Sequence, residues 1–157
     1  MNQEAIDEID RLLDKLNSDN FLEKNDVISI LFDYIDYHSI SLEYKNKITE
    51  NVMGLFDPEN TYEIQESIFN LLGSASSQGI LREKILDLML IHLSNPQPEF
   101  MEYAVDTLVE ADSSSCYKKK QFQESIEQCL KSENLDVKRV MLVIIDYYKK
   151  NGISLID

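Results

Sequence analysis

Chemistry in this chain would have to come from few residues. The histidines are His38 and His92, and the cysteines are Cys116 and Cys129, thirteen apart with no CxxC spacing. Zinc wants four nitrogen or sulfur ligands at short, regular spacings, and neither HExxH nor a His/Cys cluster of that kind is present. Asp33, Asp36 and His38 are close in sequence. On a helix, however, 33 and 36 share a face while 38 points to the opposite side from 36, so the three do not converge on an ion. His92 lies between Ile91 and Leu93 and reads as a semi-buried imidazole; Cys129 falls near an apolar stripe and reads as a buried, inert thiol. The four glycines are scattered singly, with no GxGxxG, GxxxxGK[ST] or GxSxG, so no phosphate cradle or nucleophile elbow is expected. The expectation is a protein with no catalytic residues, no cofactor and no metal.

Carboxylate is what the chain does concentrate. Its 29 Asp+Glu against 15 Lys+Arg give a net charge of −14. Residues 1–112 hold 23 acidic and 7 basic side chains, whereas residues 113–157 hold 6 and 8. No base occurs between Lys47 and Arg82 or between Lys84 and Lys118, each a gap of more than thirty residues. The acids are also in step. Glu99, Glu102, Asp106 and Glu110 recur at 3, 4 and 4, which places them on one helix face. Glu59, Glu63 and Glu66 form a second such stripe, and Asp26, Asp33 and Asp36 with Tyr37 a weaker third. Solvated helix faces usually mix signs, with Glu before Lys. An unmixed anionic face attracts a basic partner, speeds encounter and fixes orientation. Tyr37, Tyr62 and Tyr103 lie beside the stripes as candidate aromatic anchors. The same charge repels phosphate backbones and anionic membrane surfaces, so neither nucleic acid nor membrane is an expected partner. The one basic run, Lys118, Lys119 and Lys120, reads as a solvated helix end.

Helices must position these stripes. Apolar residues recur at helical spacing throughout, and no segment sustains a two-residue alternation. Eight amphipathic segments are expected near 4–17, 21–38, 41–56, 58–73, 79–94, 97–112, 117–131 and 134–150. Asn20 with Glu23, Asp57 followed by Pro58, and Asn134 are start signals; the Asn95 to Pro98 run is a break; Gly73 and Gly152 are stop signals. The longest connections, 74–78 and 112–115, are too short for linkers, and 157 residues make one domain, so a single helical domain over 1–157 is expected. No apolar run reaches membrane-spanning length and the start, MNQEAIDEID, has no signal-peptide pattern, which with the cysteine usage points to a reduced, cytoplasmic setting.

The segments repeat. In the first helix of each pair, Leu12, Ile48, Ile85 and Phe122 follow at 36 to 37 residues, as do Leu16, Val52, Met89 and Ile126. In the second helix the columns are Val27, Ile64, Met101, Val137; Leu31, Ile68, Val105, Met141; Tyr34, Leu71, Leu108, Ile144; and Ile35, Leu72, Val109, Ile145. A hairpin that cannot bury its own stripe buries it on its neighbours. The expected fold is therefore all-α: four stacked helical hairpins forming a right-handed superhelix that resembles the HEAT and armadillo class, with a compact eight-helix bundle as the rival.

The stretches ENTYEIQESIFNLLGSASSQGILREKILDLMLIHL and PEFMEYAVDTLVEAD, over 59–112, with NLDVKRVMLVIIDYYKK behind them, resemble helical immunity proteins of bacterial polymorphic toxin and contact-dependent inhibition systems, of the immunity protein 30 kind. The resemblance implies a protein that binds a cognate toxin domain in the producing cell and blocks it. Many such toxins are basic nucleases, which an acidic face would suit. It transfers no binding residue; those named above come from charge spacing. The alternative is a general HEAT-like adaptor for protein–protein interaction. The closing Ile153, Ser154, Leu155 and Ile156 are apolar enough to dock on their own fold or on a second copy, and the oligomeric state is left open.

Overall fold

Helix starts follow from side chains that take up the first backbone N–H groups. In the computed structural model, which describes residues 2–17, 20–37, 39–111 and 116–156, Asn2 accepts from Ala5 N at 2.9 Å and opens α1 (Gln3–Lys15). His38, residues 112–115 and the side chains of Cys116 and Lys118 lie outside the described residues. Asn20 accepts from the N–H groups of Leu22 and Glu23 at 3.1 and 3.3 Å to open α2 (Phe21–Tyr37). Ser41 opens α3 (Leu42–Met53), and Asn134 accepts from Asp136 and Val137 to open α8 (Leu135–Lys150). Between them run α4 (Tyr62–Ser77), α5 (Arg82–Ser94), a 3₁₀ turn (Pro98–Phe100) leading into α6 (Met101–Ala111), and α7 (Cys116–Leu130). The described residues are all-α: eight helices, with no strand among them.

Two boundaries differ from expectation. Asp57 and Pro58 do not start the fourth helix. Asp57 instead accepts from the N–H of Glu59 through its carboxylate and of Asn60 through its carbonyl, making a local turn, and the helix begins four residues later at Tyr62. Asn60 holds that turn, donating to Leu55 O at 2.7 Å and to Gln65 Oε1 at 2.9 Å. Nor does Gly73 stop α4. Ala75 and Ser76 are buried and Ser74 bonds Asp36, so packing carries the helix to Ser77. The left-handed residue is Gly79, φ +80°, with Ile80 N–H on Ala75 O and Gly79 N–H on Ser76 O. Gly152, φ +81°, ends α8 in the same way, as its position in the sequence suggests.

The chain forms two compact units, residues 1–85 and 86–157. In the first, α1 packs on α2, α3 on α4, and α2 on α4. In the second, α7 packs on α8 and α6 on α8. Side-chain bonds at about one repeat join like helix to like helix. Lys47 on α3 donates to Asp10 on α1 at 2.7 Å, and Lys84 on α5 to Glu50 on α3 at 3.2 Å. Ser67 on α4 donates to Asn25 on α2 at 2.7 Å. In the second unit, Cys129 on α7 reaches Leu93 O on α5 at 3.5 Å, and Tyr148 on α8 bonds Asp106 on α6.

The core follows the columns. Every residue named in them is buried except Val109 and Ile145, which are half-buried. Leu155 is buried where it shares a small cleft with Val109 and Phe122, so the closing residues dock on their own chain. Among the described residues no helix is long and apolar enough to cross a membrane.

Candidate functional site

The face that α2 turns to solvent carries Leu22, Asp26, Ile30, Asp33 and Tyr37, spaced by one or two helical turns and all exposed. On α4, the neighbouring helix, Glu63 is exposed and Glu66 half-buried, with the Tyr62 hydroxyl donating to Glu66 Oε2 at 2.9 Å. Between the two helices runs an open groove of about 240 Å³, lined by Ile28, Ser29, Phe32 and Asp33 from α2 and by Ser67 and Asn70 from α4. The structure thus joins two of the expected stripes into one surface. Asp33 sets a carboxylate on a groove whose floor is partly apolar. A flexible basic side chain can meet the carboxylate there while an apolar one fills the groove.

Asp36 is used differently. Its carboxylate accepts from the Ser74 hydroxyl and, at 3.3 Å, from the Gln78 amide, tying α2 to the end of α4. Glu59 lies in the turn before α4, so it does not continue the helical stripe of Glu63 and Glu66; the Asp57 turn pushed the helix start past it.

In the second unit, Glu102 and Glu110 are exposed on α6, and Glu99 is exposed in the preceding 3₁₀ turn. Glu102, Tyr103 and Asp106 line a shallow hollow of about 260 Å³. Tyr103 is half-buried with its ring 6.1 Å from that of Phe100, so it is a rim residue. Asp106 is half-buried and holds Tyr148, which takes it out of the set of carboxylates offered to solvent.

Neither α4 nor α6 contains a basic residue. The lysines that form ion pairs choose other acids: Lys15 with Glu23, Lys47 with Asp10, Lys84 with Glu50. Exposed pairs of this kind add little stability, and none of these three engages an acid of α4 or α6, whose carboxylates have no base on their own helix.

The remaining reactive groups are placed for packing. His92 is 5% exposed, and burial lowers its pKa to about 4 against the opposing pull of Glu99. Burial likewise pushes the Cys129 thiol up, away from the thiolate that reacts. Among the described residues no three His, Cys, Asp or Glu are grouped to hold a metal ion.

The apolar half of the α2–α4 surface is absent from a reading by charge. Leu22, Ile30 and Phe32 sit in a stretch so rich in apolar residues that core and surface positions cannot be told apart by periodicity. The available signal was that none of the three falls in a repeat column. Comparison with models of protein families, with curated proteins and with solved structures finds no match to the chain.

Proposed function

We propose that this chain is a non-catalytic binding protein whose anionic helices α2, α4 and α6 take hold of a basic protein, and that it serves as an immunity protein neutralising a cognate toxin domain. The observation that carries the reading is the α2–α4 surface. Asp26, Asp33 and Glu63 stand exposed on these two helices, Asp33 on a groove whose lining is partly apolar, and Tyr37 and Tyr62 are exposed on the same helices. Carboxylates steer and orient a basic partner, while groove and tyrosines supply the desolvated contact that holds it. Exposed Glu102 and Glu110 on α6 extend the same chemistry to the second unit.

The test is to examine the genes beside this one for a toxin domain, to co-express any that is found with this chain, and to measure their affinity across a salt series. Rescue of growth and binding that weakens as salt rises are expected. Asp26→Lys/Asp33→Lys/Glu63→Lys should lower the association rate about tenfold or more and flatten the salt slope. Unchanged affinity and slope in that variant would remove the acidic surface from the account. Tight, salt-indifferent binding without growth rescue would favour an adaptor.

A further inference from the structure

The seam between α2 and α4 is polar but for one ring. On α2, Asn25, Ser29, Phe32 and Asp36 recur at steps of 4, 3 and 4; on α4, Ser67, Asn70 and Ser74 recur at 3 and 4. Each set therefore shares one helix face. Those faces are tied together at two places. Ser67 Oγ donates to Asn25 Oδ1 at 2.7 Å, and Asp36 accepts from Ser74 and, at 3.3 Å, from Gln78. The open groove of about 240 Å³ is lined by the residues that lie between the ties. That volume is below what a drug-sized ligand occupies and suits a single long side chain.

Almost everything polar in the lining is an acceptor. Ser29 uses its hydroxyl hydrogen on Asn25 O at 3.1 Å and Ser67 uses its own on Asn25 Oδ1, which leaves both oxygens with lone pairs only. Asp33 adds an exposed carboxylate, and among the described residues neither Asp33 nor Asn70 makes a side-chain hydrogen bond or ion pair. The Asn70 amide is the one side-chain donor left free in the lining. No base on either helix neutralises Asp33. Helix α4 has none, and Lys24, the base of α2, is nine residues from Asp33 and so on the opposite side of the helix. Buried Ile28 and half-buried Phe32 supply the apolar part.

We propose that this groove is the anchor site for an arginine side chain of a basic partner protein, held by Asp33 with Phe32 beneath it. The inference rests on the reading of the chain as a binder of a basic protein and adds which side chain it grips. A guanidinium carries five donors and no acceptor, the complement of a lining made of a carboxylate and lone pairs. Its planar fork pairs with a carboxylate through two parallel bonds. It is also more weakly hydrated than an ammonium and associates with aromatic rings, so Phe32 and Ile28 favour arginine over lysine. Its aliphatic stem covers the apolar part of the groove while the charged head stays at Asp33. A phosphate or carboxylate ligand would set acceptors against acceptors, and a purely apolar one would leave the Asp33 carboxylate desolvated and unpaired.

Titration of the full chain at pH 7 and physiological ionic strength, followed by amide NMR shifts, tests it. The probes are three capped tripeptides with arginine, lysine or citrulline at the centre; citrulline keeps the shape of arginine without its charge. The arginine peptide is expected to saturate with a Kd near or below about 10 mM and to move the amides of Ser29, Phe32, Asp33, Ser67 and Asn70. Lysine should bind at least about threefold more weakly and citrulline should not saturate. Asp33→Asn should weaken arginine binding about fivefold or more, whereas Glu43→Gln, the same loss of charge at an exposed site on α3, should leave it unchanged. Phe32→Leu should bring arginine down to the level of lysine, with far-UV circular dichroism confirming that the helices persist. Equal binding of arginine and lysine, shifts spread over the acids of α6 as well, or indifference to Asp33→Asn overturns the proposal. If arginine fails in this way while Asp26→Lys/Asp33→Lys/Glu63→Lys still weakens a toxin, the anchor falls and the immunity reading stands. Arginine seated as expected, with no toxin bound, upholds the anchor and removes the immunity reading.

Discussion

The phenol of Tyr148 on α8 donates a hydrogen bond to the carboxylate of Asp106 on α6. Burial first, and then that bond, raise the Tyr148 pKa far above its ordinary value. The first unit has the same device between its own helices: Tyr34 on α2 donates to Glu8 on α1 at 2.6 Å, and its pKa is raised to about 12 for the same reasons. A hydrogen bond to a charged group that one partner keeps largely dry contributes more than a neutral surface one. Tyr148→Phe is therefore expected to lower unfolding free energy by about 1–2 kcal/mol. Asp106→Asn should cost less, and the double variant little more than the worse single. Urea titration of the four proteins reads the coupling, and Tyr148→Phe at wild-type stability would mean the bond adds nothing. Because Asp106 holds the fold together, Glu102 and Glu110 are the residues of α6 at which charge reversal probes a partner rather than stability.

Much of this architecture is legible from residue spacing because burial and repeat are the same physical fact. Leu31, Ile68, Val105 and Met141 are all 0% exposed, and it is their common step that marks them as core. Helix ends were readable where a single side chain decides them, as at Asn20 and Asn134. They were not readable where two local solutions compete. Asp57 with Pro58 can open a helix or close a turn, and only the bonds of Asn60 to Leu55 and Gln65 select the turn. The acidic residues were found by type and step. Which of them would be spent internally depends on partners some forty residues away: Ser74 for Asp36, Tyr148 for Asp106. No local pattern encodes that. Pairing α2 with α4 likewise turned two separate stripes into one surface, and the partly apolar groove between them has no counterpart in either stripe alone.

Leu81 carries backbone strain. Its φ is +47°, in the left-handed region where a side chain crowds the following carbonyl, and its own carbonyl accepts the first bond of α5 from Ile85 N at 3.0 Å. Glycine has no such penalty. Leu81→Gly should therefore be more stable than Leu81→Ala by about 1 kcal/mol, the reverse of the order within a helix. Thermal melts of both variants decide it. Leu81→Ala equal to or above Leu81→Gly would show that the turn is not strained.

His92 should make stability fall in mild acid. Buried on α5, its imidazole has a pKa lowered to about 4, chiefly because burial disfavours the charged ring. In the unfolded chain the same group protonates near its ordinary value of 6.5. Between these values the unfolded state binds a proton that the folded state does not, so stability rises with pH across that window and is at its full value above it. By pH 5 the loss relative to pH 7 amounts to about 2 kcal/mol. Acid also relieves the self-repulsion of a chain of net charge −14, which works in the opposite direction but is common to wild type and variant. The readout is therefore the difference between wild type and His92→Leu. Urea unfolding at pH 7, 6 and 5 is expected to show His92→Leu gaining on wild type by about that amount as pH falls. Parallel profiles for the two proteins would mean that the folded imidazole takes up its proton as readily as the unfolded one.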